Sequence, residues 1–117
     1  MTKIAKEFPG QTVICTFEVT PGTAHDVIDA LNEAYDQVIS RQPGYVSGAV
    51  HLNDAQTRIA TYSQWRDRDD YKAMLRSPEM RARNRLIHAM CRHFEPVMYE
   101  VVETWQLPAN PDAAVAN

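Results

Sequence analysis

Cysteine and glycine are both scarce, with two and four respectively in 117 residues. Cys15 and Cys91 have no CxxC spacing and form no metal-type cluster. They read instead as small buried hydrophobes in a reduced, cytoplasmic setting. With so few glycines the chain contains no GxGxxG or GxxxxGK[ST] motif, and HExxH and GxSxG are also missing. The common nucleotide-binding, zinc-protease and hydrolase fingerprints are therefore excluded. No apolar run approaches the roughly 18–20 residues that span a bilayer. The opening MTKIAKEFPG lacks the apolar core of a signal peptide. Basic charge is short as well: 12 Lys and Arg stand against 15 Asp and Glu. That balance excludes the footprint of a nucleic-acid backbone binder. No metal, no cofactor, no nucleic acid and no membrane partner is expected.

The charge that is present is unevenly spread. Residues 66–92 hold eight basic and four acidic side chains, while residues 93–117 hold four acidic and no basic ones. A solvated helix face accounts for such a stretch, and attraction of an anionic ligand is the functional alternative. A chain of this length predicts a single domain, here residues 1–107 with the core over 11–106. The Pro- and Ala-rich residues 108–117 read as a flexible tail.

Apolar periodicity lays out the elements. Residues 13–19, VICTFEV, alternate as a strand. Ala24, Val27, Ile28, Leu31, Ala34, Tyr35 and Val38 recur at helical spacing over about 22–41, with Thr23 and Asp26 suggesting a capping box. Gln42-Pro43-Gly44 ends that helix. Strands follow at 45–52 and 58–65, joined at Asn53-Asp54. Asp67 caps a short helix through about Arg76. Ser77, followed by proline at the first helical position, caps the next, whose stripe is Met80, Ile87, Met90 or Cys91, then Phe94. Glu95-Pro96 ends it, and 97–105 is read as the fourth strand. The order is β-α-β-β-α-β, the ferredoxin-like arrangement of an α+β fold. Strands 13–19 and 97–105 are apolar in both phases and so call for cover on both faces. No element remains for the second face, so a homodimer packed through its sheet faces is expected.

The polar and amphipathic residues on otherwise apolar faces are the candidates for chemistry. Alternation places Ile59, Thr61, Ser63 and Trp65 together. Trp65 is either an anchor sealing the core or a ring lining a pocket with its indole N–H turned to a ligand oxygen. Tyr71 is divided in the same way between packing and lining. Asn84 interrupts the Met80–Ile87 stripe, as a structural amide or as a ligand contact, and His88 borders the same face. Spacing alone yields no complete acid–base or nucleophile set.

The phrases Gln42-Pro43-Gly44-Tyr45-Val46-Ser47 and Tyr62-Ser63-Gln64-Trp65, with Tyr71 six residues later, resemble the antibiotic biosynthesis monooxygenase family over about residues 12–105. The resemblance implies a dimeric α+β barrel. It also implies a small, cofactor-independent oxygenase that uses O₂ to oxidise anthrone-like polycyclic phenols to quinones in aromatic polyketide (antibiotic) biosynthesis. Catalytic roles fall by resemblance to Trp65, Tyr71 and Asn84, with Thr61, Ser63, Met74 and His88 as substrate contacts. Thr61 stands where polyketide-pathway members often carry asparagine. Cys15 and Asn84 stand where the heme-degrading branch carries asparagine and an iron-holding histidine. A polyketide cyclase or isomerase, or a non-enzymatic dimer binding a small aromatic ligand, are the alternative readings on the same fold.

Overall fold

Strand β1, Gln11–Glu18, is the centre from which the rest is placed. It pairs antiparallel with β3, Arg58–Trp65, on one side and with β4, His93–Tyr99, on the other. Strand β2, Tyr45–Leu52, pairs antiparallel with the free side of β3, which makes the order β2-β3-β1-β4. The structure, a computed structural model, describes residues 9–107. The tail expected at 108–117 lies outside the described residues.

Helices α1, Ala24–Gln37, α2, Arg68–Arg76, and α3, Pro78–Met90, pack on one face of the sheet. Helix α1 buries Ala24, Val27, Leu31 and Ala34, as its stripe requires. It stops at Gln37 and gives way to a tight 3-10 turn, Ile39–Arg41, earlier than the periodicity alone implies. Thr23 does occupy the N-cap, but its side chain caps nothing. Its hydroxyl is turned back onto Thr20, 3.1 Å from Thr20 Oγ1, so the capping box does not form. The next two caps hold. Asp67 accepts the amide of Asp70 at 2.9 Å, and Ser77 accepts that of Met80 at 3.2 Å while donating to the carbonyl of Met74 at 2.9 Å.

Two features of the expected architecture are overturned. The sheet is open: its four strands end at β2 and β4 and do not close into a barrel. Closure demands a tilt and a strand-to-strand stagger that only about eight strands satisfy around a side-chain-filled interior. The fold is α+β, a four-stranded antiparallel sheet with three α-helices, and two of those helices lie between β3 and β4. The final strand is also displaced, from the expected 97–105 to His93–Tyr99. Helix α3 ends at Met90, and the Arg92 amide already donates to the Glu18 carbonyl at 2.8 Å, which starts the pairing with β1. Pro96 therefore sits inside an edge strand, where a missing amide is tolerated, and no longer terminates a helix.

The turn between α1 and β2 fixes where α2 sits. Tyr45 donates its amide to Gln42 O at 3.3 Å, with proline second and Gly44 third at φ +85°. That is a type II turn, whose third position favours glycine. A Cβ on Gly44 would overlap the Asp70 side chain down to its own Cβ.

Candidate active site

Opposed residues of neighbouring strands point to the same face, so the registers Val13↔Ser63, Cys15↔Thr61 and Phe17↔Ile59 turn one set of side chains toward the helices. Pro96 and Phe94 join that set from β4. Helix α1 lays Tyr35 over it, α2 adds Tyr71 and Met74, and α3 adds Met80, Asn84 and His88 at intervals of four. All of these but Ile59 line a cavity of about 310 Å³ between the sheet and the helices. All seven residues singled out from the sequence line it: Thr61, Ser63, Trp65, Tyr71, Met74, Asn84 and His88.

One end of the cavity is an edge-to-face aromatic chain. Tyr35 meets Tyr45 at 6.5 Å, Tyr45 meets Trp65 at 5.5 Å, and Trp65 meets Tyr71 at 5.9 Å between ring centroids. Trp65 is fully buried, and its indole N–H donates to Ser63 Oγ at 3.1 Å. The N–H is thus committed to its own strand, where the sequence had left open that it faces a ligand. Ser63 and Thr61 in turn approach the Tyr35 phenol, forming a short row of hydroxyls along one wall. At the far end Phe17 stacks on Phe94 at 6.4 Å, and His88 lies flat on Phe94 at 3.7 Å. The Asn84 amide makes no hydrogen bond to the described residues, so the structural role open to it in the sequence has no partner here.

The electrostatics of the cavity are those of a neutral box. No Asp, Glu, Lys or Arg lines it. Burial pushes the Cys15 thiol up to about 12, opposed in part by a hydrogen bond with the Glu95 backbone. Burial likewise pushes the Tyr71 phenol up to about 12. It also raises Tyr35, with the Thr61 and Ser63 hydroxyls pulling the other way. His88 moves down, again through burial, because the imidazolium is the form that loses hydration. At neutral pH each of these groups is uncharged. The cavity can hold a flat, largely apolar molecule and offer hydroxyl and amide donors to its polar edge.

The family is decided by the match of its pattern to residues 11–85, well over half of the chain and including β1 to β3, α2 and most of the cavity lining. The chain belongs to the antibiotic biosynthesis monooxygenase family. A similar protein among this family's relatives is tetracenomycin-F1 monooxygenase of Streptomyces glaucescens, 27% identical over 94 residues that cover 80% of this chain and 83% of the relative. Among solved structures, a point mutant of SnoaB, a cofactor-independent oxygenase from Streptomyces nogalater, superimposes with a TM-score of 0.72 at 19% identity, covering 80% of this chain and 94% of that chain. An anthrone oxidase-like protein gives a TM-score of 0.82 at 20% identity, covering 91% of this chain and 45% of that larger one. Family membership makes monooxygenase and oxidoreductase the terms that describe the chain.

Among the described residues no three His, Cys, Asp or Glu side chains are grouped to hold a metal ion, and no helix is long and apolar enough to cross a membrane. The other histidines, His25, His51 and His93, are exposed and line no part of the cavity.

The sequence does not single out every member of the site, and Tyr35, Cys15 and Phe94 are among those it passes over. Tyr35 falls in the apolar stripe of α1, although a phenol facing the Thr61 and Ser63 side of β3 is a signal in itself. Cys15 reads as a small buried hydrophobe, yet it stands opposite Thr61 in the cavity floor. Phe94 continues the α3 stripe, because its spacing from Met90 also fits a helix.

Proposed function

We propose that this chain is a cofactor-independent oxygenase that converts a polycyclic phenolic or anthrone-like substrate to a quinone with O₂ in aromatic polyketide biosynthesis. The observation that carries the reading is the uncharged cavity of about 310 Å³, with aromatic ends and a hydroxyl row on one wall. Its volume lies at the small end of the roughly 300–1,000 Å³ usual for small-molecule sites, which suits two or three fused rings better than four. The family and the monooxygenase named among its relatives support the same chemistry.

An anthrone carries an acidic C–H, and its conjugate base is electron-rich enough to give one electron to O₂ directly. Recombination forms the C–O bond of a peroxide, which collapses to the carbonyl as the second C–H proton is lost and the O–O bond breaks to release hydroxide. One oxygen atom stays in the quinone and the other leaves as water. The protein's part is to hold the ring, favour the anion and exclude bulk water. Tyr71 and Asn84 donate to the enolate oxygen as charge develops there. Trp65 acts through Ser63, whose hydroxyl it orients, and Thr61 adds a second hydroxyl on that wall. Met74 packs against the ring face. Ile14, Val97 and Tyr99, on the sheet face turned away from the helices, support association of two copies through those faces.

The test is incubation with the anthrone dithranol in air and under argon, following quinone absorbance and O₂ uptake. The expected result is O₂-dependent quinone formation that falls about tenfold in Trp65→Phe, a loss near 1.4 kcal/mol. O₂ uptake no faster than the uncatalysed background ends the oxygenase reading, and an isomeric, redox-neutral product formed equally well under argon replaces it with a cyclase or isomerase.

A further inference from the structure

The oxidation begins with loss of a proton from carbon, and the cavity offers few places to put it. Cys15, Tyr35 and Tyr71 hold their own protons at neutral pH because burial raises all three. Serine, threonine and asparagine side chains carry no lone pair basic enough at that pH. No carboxylate or amine lines the space. His88 is different in kind. It lies one turn beyond Asn84 on α3, so the two side chains share the helix face that lines the cavity.

The imidazole is held by its face. Its centroid is 3.7 Å from that of Phe94 with the planes 16° apart, and Phe94 is backed by Phe17 in turn. A ring gripped in this way keeps both nitrogens at its rim, where a partner can approach in the ring plane. Neither nitrogen is hydrogen-bonded to a described residue. Burial favours the neutral form, so one nitrogen presents a lone pair.

We propose that His88 is the general base of the reaction, taking the substrate's acidic C–H proton onto a ring nitrogen while Phe94 holds the imidazole plane and Asn84 donates to the oxygen where the negative charge settles. This deepens the oxygenase reading and rests on it. The C–H bond breaks, its electron pair remains in the substrate as the enolate, and an N–H bond forms on His88. The imidazolium then protonates the outer oxygen of the peroxide anion. The neutral ring so restored removes the second C–H proton as the O–O bond breaks and the carbonyl forms, and it passes that proton to the departing hydroxide, which gives water and the neutral ring again.

Proton transfer is measured apart from oxidation by following exchange of the dithranol methylene protons in anaerobic D₂O by NMR. The wild-type protein is expected to accelerate exchange over buffer, and His88→Gln to lose about 100-fold or more of that acceleration, in keeping with the range for general bases. The wild-type rate rises with pH to a plateau whose midpoint lies below 6.5, the ordinary histidine value, and this limb vanishes in His88→Gln. The titratable groups that share the cavity are Cys15 from β1, Tyr35 from α1 and Tyr71 from α2, and all are raised by burial, away from that window. In His88→Ala, added imidazole is expected to restore exchange, a readout that mere disturbance of the fold does not produce. Exchange undiminished in His88→Gln overturns the assignment, as does a wild-type rate equal to buffer. Exchange that depends on His88 without O₂ uptake in air upholds the base and overturns the oxygenase reading. O₂-dependent turnover in a His88→Gln protein with intact exchange does the reverse.

Discussion

Replacing Gly44 by alanine tests how the turn before β2 builds the cavity. Two penalties act together. Gly44 has φ +85°, and an L-residue in the left-handed region costs roughly 1–2 kcal/mol. The new methyl group also meets the Asp70 carboxylate and Cβ. The carboxylate could rotate away, but the Cβ is fixed by the backbone of α2, so the helix itself must shift at a cost of about 1–3 kcal/mol. Against these, alanine restricts the unfolded chain and returns roughly 0.4–1 kcal/mol. The net loss is about 1–5 kcal/mol. At roughly 4 °C per kcal/mol for a domain of this size, Tm falls by about 4–18 °C. Differential scanning calorimetry measures it, with Asp70→Ala as the companion. Removing the carboxylate while leaving the Cβ should recover only part of the loss in the double variant. A Tm within about 2 °C of wild type in Gly44→Ala refutes the close-approach argument, and full recovery in the double variant refutes the claim that α2 must move. Because α2 carries Tyr71 and Met74, the same variant should bind a flat aromatic ligand more weakly.

Ser77 bonds both ways across the α2–α3 junction, so Ser77→Ala is expected to cost about 1–2 kcal/mol in urea denaturation, and no change would mean the cap is redundant. Alkaline titration offers a second check. Cys15 and Tyr71 have native values of about 12 against ordinary values of 9.0 and 10.0, so the unfolded chain releases these protons first. Stability is therefore fully present below pH 9 and falls progressively between pH 9 and 12. Tyr71→Phe should flatten the upper part of that decline in Tm-against-pH measurements, and an unchanged slope would place the phenol in water.

The parts of the fold that could be read in advance are those set by local chemistry. Alternation of Ile59, Thr61, Ser63 and Trp65 assigns a face without any knowledge of partners, and Ser77-Pro78 marks a helix start because both residues suit that position alone. Longer-range choices were not legible. Phe94 continues the α3 stripe and equally fits a strand opposite Phe17, and only the pairing with β1 decides between them. Thr23 looks like a cap, yet Thr20 competes for its hydroxyl. In the site, residue types showed which side chains belong on the inner face. The hydrogen bond that commits the Trp65 N–H to Ser63 depends on rotamers, which no spacing encodes.

The apolar interior is divided. Val13, Trp65, Tyr71, Met74 and Met80 form one cluster with the end of α1, while Phe17, Val27, Leu31, Ile59 and Ile87 form a second. The cavity touches both, so a bound ring system would stand where a large core side chain stands in other small proteins. Occupancy then fuses two half-cores into one. Ligand at about 100 times its Kd stabilises a folded chain by roughly 2.7 kcal/mol, a sizeable fraction of the 5–15 kcal/mol typical of a domain. Substrate supply would in this way govern how long the protein lasts as well as how fast it works, since the emptied chain is the one most exposed to unfolding and proteolysis.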